Sequence, residues 1–210
     1  MDLPILRPPE RLLCGPGPTN VDPAVLDAMR RPMLGHLDPD LHEILLEVVD
    51  MQRRVYRMPD GLVLPLHCTG TAGMETGIAN LLEFGDKVIV AQCGFFGRRI
   101  AEIARRHHAT VVTVEADWGE CVSNDAILET LYRHGDAKMV AVVHAETSTG
   151  VEHPLAELGA ALRDTNTLLM ADCVTSMAGV ELDVGAWGVD FAYSCTQKCL
   201  AAPEKETVPE

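Results

Sequence analysis

KVIVAQCGFFGRRIAEIARRHHATVVTVE, residues 87–115, reads as a strand, a helix and a second strand. The runs at 87–92 and 110–115 are rich in Val, Ile and Thr and give little apolar–polar alternation. Each is therefore expected to be covered on both faces, as strands of a parallel sheet are. Between them, the segment from Phe96 to His108 brings Ile100, Ile103 and Ala104 onto one stripe at helical spacing. A strand, a crossing helix and a like strand form the repeating unit of an α/β fold.

The alternation continues outward. Strand-like runs recur as KMVAVVHA (138–145), TLLMAD (167–172) and DFAYS (190–194). Ser123 is placed to cap a helix carrying Ile127, Leu128 and Leu131. A further helix is expected from Pro154, with Leu155, Leu158 and Leu162 toward the sheet. Upstream, Leu41, Ile44, Leu45, Val48, Gln52, Val55 and Tyr56 follow a helical period that breaks at Met58-Pro59-Asp60-Gly61. GPGPTNVDPAV (15–25) predicts a Pro/Gly loop and then a short helix from Pro23. The closing LAAPEKETVPE (200–210) has no apolar period, so no further strand or helix is expected there. The expected organisation is an N-terminal Pro/Gly segment over 1–22, one large α/β domain over 23–202 with a mostly parallel sheet flanked by helices, and a charged tail over 203–210.

Composition narrows the function classes. The 210 residues carry 17 Lys and Arg against 31 Asp and Glu, a formal charge of −14. That balance opposes a nucleic-acid groove or an anionic membrane surface as partner, because phosphate contacts need local positive charge. No run of 18 apolar residues is present, and MDLPILRPPER is too short and Pro-rich for a secretory leader. The seven cysteines form no CxxC pair and fit no structural zinc spacing, so they read as reduced thiols of a cytoplasmic protein with no bound metal.

Ligands of open α/β sheets bind beyond the carboxyl ends of the strands, where this chain presents four polar groups. Thr69, Gly70 and Thr71 precede a helix expected near Gly73, where unpaired N–H groups and the helix dipole favour a phosphate. The spacing is not that of a nucleotide P-loop, and a turn capping a buried helix reads equally well. Asp172 ends an apolar strand, either as a turn residue or as the partner of a protonated ring nitrogen. Thr147 follows the strand-like run at 138–145. Of the four lysines, Lys87, Lys138, Lys198 and Lys205, Lys198 alone follows a strand's carboxyl end, among Ser, Cys, Thr and Gln. A lysine so placed can attack a carbonyl to form a Schiff base. A phosphate cradle, an acid and a lysine on one sheet edge suit pyridoxal 5′-phosphate (PLP).

GPGPTN, LGHLDPDLHEIL, TGTAGMETGIANLLEFGDKVIV, GFFGRRIAEIA, VHAETSTGVEHPL, MADCVTS and YSCTQKCL occur in this order across residues 11–202. In that combination the chain resembles the class V, fold-type-I PLP aminotransferases, most closely their alanine/serine–glyoxylate branch. The resemblance implies that Lys198 holds the cofactor as a Schiff base and moves the substrate proton, and that Asp172 keeps the ring nitrogen protonated. It further implies that Val174 and Phe96 flank the ring and that Thr69, Gly70, Thr71 and Gln197 bind the phosphate. Thr147 would contact the phenolic side, and the loop from Gly15 to Pro18 would border the substrate. Gln197 sets the chain apart from the cysteine desulfurases of the same class, which carry His before the lysine. The implied reaction moves an amino group from alanine or serine to glyoxylate or a similar 2-oxo acid, in a homodimer. The family continues into a C-terminal small domain with an arginine for the substrate carboxylate, and no residue here matches it. Glu204 stands where that pattern has a second proline, and Cys195 where it has glycine. A catalytically inactive fragment, serving as a binding or dimerising module, is the alternative.

Overall fold

The computed structural model describes residues 9–203 and the backbone of 206–209. The first eight residues of the N-terminal segment, and Glu204, Lys205 and Glu210 of the tail, lie outside the described residues. Two helices open the chain, α1 (Pro23–Ala28) and α2 (Pro39–Val55), each with Pro at its start behind an aspartate cap, Asp22 and Asp38. Then come β1 (Val63–Leu66), α3 (Gly70–Leu81), β2 (Lys87–Gln92), α4 (Phe95–Arg106), β3 (Thr110–Glu115) and α5 (Asn124–Arg133). The next elements are β4 (Ala137–Val143), the small hairpin β5 (Ala145–Glu146) and β6 (Val151–Glu152), α6 (Leu155–Leu162) and β7 (Leu168–Asp172). The chain closes with α7 (Val184–Trp187), β8 (Phe191–Cys195) and β9 (Glu206–Pro209).

The main sheet has the order β1-β9-β8-β7-β4-β2-β3. From β8 to β3 all neighbours are parallel, whereas β9 runs antiparallel to both β8 and β1. This is the expected mostly parallel α/β sheet, with one correction. The charged tail does form a strand, because β9 needs only its backbone to complete ladders with β8 and β1, and four residues ending in Pro give no readable period. The antiparallel β9 leaves β1 pointing the same way as β8, so the Thr69 turn emerges at the same sheet edge as the other strand ends.

Alternate residues of the central strands feed two cores. Val88 and Val90 pack with Met74 and Ile78 of α3 and with Ile100 and Ala104 of α4. Ile89 and Ala91 face the other way, toward Ile127 of α5 and Leu155 and Leu158 of α6. The double-sided burial expected of the strands holds for β2, whereas β3, at the edge of the sheet, is only half-buried. Ser123 accepts the Ala126 N–H as N-cap of α5, as its position predicts. Among the described residues, no helix is long and apolar enough to cross a membrane.

Candidate active site

Four connections deliver polar groups to one edge of the sheet. Leaving β1, the chain turns at Thr69 into α3, which starts three residues earlier than the sequence suggests. Thr69 makes no side-chain cap hydrogen bond, so the first N–H groups of α3 are available to a ligand. Leaving β2, Gly94 leads into α4 and presents Phe96. Strand β7 ends on Asp172, and β8 ends two residues before Gln197 and Lys198. Thr69, Gly70, Thr71, Phe96, Asp172, Val174, Gln197 and Lys198 line a single cavity of about 170 Å³, together with Met74 and Cys195.

Asp172 is 3% exposed. Its Oδ1 accepts the Val174 N–H at 2.9 Å and its Oδ2 accepts the Tyr193 hydroxyl at 2.7 Å. Burial pushes its pKa up to about 6; the Tyr193 and Val174 hydrogen bonds and the charge of Lys198 oppose that rise, while the charge of Glu146 adds to it. A carboxyl held at that edge of ionisation is stabilised as an anion by any cation brought against it. Lys198 reaches across the N-terminal segment, its Nζ donating to the Pro16 carbonyl at 3.0 Å. The Thr19 N–H and hydroxyl donate to the carbonyls of Gln197 and Lys198, at 2.9 Å each, and tie that segment to the lysine loop. Gly17 is required there. With φ at +124°, a Cβ would lie 2.5 Å from the Lys198 Cδ.

Thr147 is the exception among the expected contacts. It stands outside the cavity lining and its hydroxyl is hydrogen-bonded to that of Thr175. Other groups at the site escaped the sequence reading. Glu146, 1% exposed, accepts the N–H groups of Phe96 and Gly97 on one oxygen, at 3.0 and 3.2 Å, and the Ser148 hydroxyl on the other at 2.7 Å. It therefore fixes the turn that aims Phe96. The signal was present, a carboxylate just after an apolar strand, as in Asp172. Tyr193 could have been found from register, since β8 sets it directly beside Asp172. Among the described residues, no three His, Cys, Asp or Glu side chains are grouped to hold a metal ion.

Residues 12–204 match the aminotransferase class-V family. The chain belongs to the class-V aminotransferases. It is 37% identical over 195 residues to the (S)-ureidoglycine–glyoxylate transaminase of Bacillus subtilis, covering 93% of this chain and 47% of the relative. It is likewise 37% identical over 198 residues to the alanine–glyoxylate aminotransferase of Mus musculus, covering 94% and 48% respectively. The crystal structure of an alanine–glyoxylate aminotransferase from Nostoc sp. superposes with a TM-score of 0.95 at 42% identity, over all of this chain and 55% of that one. The chain thus spans about half the length of the curated relatives it matches. Enzymes of this family depend on PLP. The donor set fits that cofactor: a primary amine, a buried carboxyl near its ionisation point, apolar Phe96 and Val174, and an uncapped helix N-terminus for a phosphate.

Proposed function

We propose that this chain is the cofactor-holding part of an aminotransferase that moves the amino group of alanine or serine to glyoxylate or a similar 2-oxo acid. The observation that carries the reading is the shared cavity of Lys198, Asp172, Phe96 and the uncapped α3 N-terminus. The likeness to two glyoxylate aminotransferases supports the acceptor.

PLP, when bound, supplies an electron sink that stabilises negative charge developing on a substrate carbon. Lys198 would provide the amine that holds its aldehyde, and its Nζ would move a proton to and from the substrate. The Pro16 carbonyl accepts a hydrogen bond from that amine and orients it. Asp172 pairs with a protonated ring nitrogen, and the Tyr193 hydroxyl and Val174 N–H orient its two oxygens for that task. Phe96 and Val174, on the cavity wall, would enclose the ring, and Thr69, Gly70, Thr71 and Gln197 would receive the phosphate. Thr147, whose hydroxyl is bonded to that of Thr175, would serve the phenolic side by the same family likeness. A homodimer is part of this reading, supported by the exposed apolar side chains of α1 and α2. A reducing, cytoplasmic setting is supported by seven free cysteines.

The decisive experiment titrates PLP into the purified chain and its Lys198→Ala variant, following the visible absorption band, and then adds alanine or serine. A lysine-dependent band that the amino donor bleaches is expected. A band of equal size in the variant, or no band in either, would sink the reading.

A further inference from the structure

Resting on that reading, we infer that Arg99 supplies the positive charge that balances the cofactor's phosphate, acting through Thr71. Thr71 lines two adjoining cavities, the candidate active site and a second of about 260 Å³ behind it. Arg99 stands in the second, and its Nη1 donates to the Thr71 Oγ1 at 3.4 Å. The hydroxyl oxygen is thereby used as acceptor, which leaves its own proton to be donated into the first cavity.

The ion pairs around the turn point the same way. A phosphate monoester brings about −1.5 to −2 at neutral pH. Asp172 and Lys198 in the active-site wall are of opposite sign, so the wall has no net formal charge to offer. Glu75, Arg99, Glu102 and Arg106 line the cavity behind the turn, two carboxylates and two guanidinium groups; Glu102 is paired with Arg106, and Glu75 lies 3.1 Å from His107. Among the described residues, Arg99 has no carboxylate partner. Its guanidinium carbon lies 4.9 Å from the centroid of the Phe95 ring, which packs the side chain without neutralising it. A guanidinium outside these ion pairs and bonded to Thr71 polarises that hydroxyl toward a dianion, and the N–H groups at the start of α3 add to the effect.

The test uses two aldehydes that differ only at the phosphate. Dissociation constants of PLP and pyridoxal are measured for the 210-residue chain, for Arg99→Gln, and for Arg99→Met, which keeps the stem over Phe95, with melting curves alongside. The expected result is a loss of about tenfold or more in PLP affinity in both variants, with pyridoxal affinity unchanged. Equal losses for both aldehydes, or none for either, would overturn the assignment of Arg99 while leaving the functional reading standing. A parent chain that takes up neither aldehyde would defeat the functional reading and this inference with it.

Discussion

At the scale of single residues, the candidate site depends on how neighbours set the ionisation of Asp172. Burial raises its pKa to about 6, and the Tyr193 hydroxyl is the strongest influence holding it down. Removing that donor in Tyr193→Phe should move the Asp172 titration higher still and cost roughly 1.5–3 kcal/mol of stability, the range for hydrogen bonds to charged groups. Infrared difference spectroscopy of the carboxyl stretch across pH would read the shift; an unmoved titration contradicts the coupling. Glu146 works on Phe96 by geometry, since one of its oxygens holds the Phe96 and Gly97 amides at the start of α4. Lys198 and Asp172 were legible in the sequence because a lone lysine or acid after an apolar strand has few places to go. Tyr193 was not, because a tyrosine inside an apolar run looks like core until the strand beside it is known.

Among elements, most of the helices and the five parallel strands from β8 to β3 follow from local pattern, since covered strands and amphipathic helices repeat at different periods. Strands β1 and β9 do not. VLPL (63–66) is four residues with a proline, and it forms a sheet edge that only β9 completes. Helices α1 and α2 pose the opposite problem, because their apolar residues are visible in the sequence but not their partner. Neither helix buries a residue, and Leu26, Met29, Ile44, Leu45, Leu46 and Met51 are each 42% or more exposed. Solvated apolar stripes of that extent favour association. We predict that the chain self-associates at micromolar concentration and that Leu45→Glu with Ile44→Glu weakens the association by about tenfold or more, from lost burial of apolar side chains. Sedimentation equilibrium decides it, and a monomer at every concentration would refute the role given to this face.

For the whole molecule, buried histidines govern the response to acid. His144 and His153 are 1% and 2% exposed, and burial lowers both to a pKa of about 4. Their folded values lie below the unfolded 6.5, so their contribution is complete above that pH and is lost as pH falls toward 4. Asp172 has the reverse sign: raised from 3.8 to about 6, it favours the folded chain at low pH and loses that advantage as pH rises through 6. Two groups against one leave a net loss between pH 6.5 and 4, on the order of 3 kcal/mol. Urea unfolding at pH 7 and pH 4.5 should show it, with a shallower dependence in His153→Gln; equal midpoints at the two pH values would contradict the sign. The five parallel strands and most of the helices between them, and the candidate lysine, acid and threonine turn, were written in local sequence, because hydrophobic period and turn chemistry act over a few residues. Tertiary structure alone decided that β9 closes the sheet, that the Pro16 carbonyl meets Lys198, and that Arg99 stands behind Thr71. Each of those joins groups tens of residues or more apart in the chain, and no local period records which of them the fold will bring together.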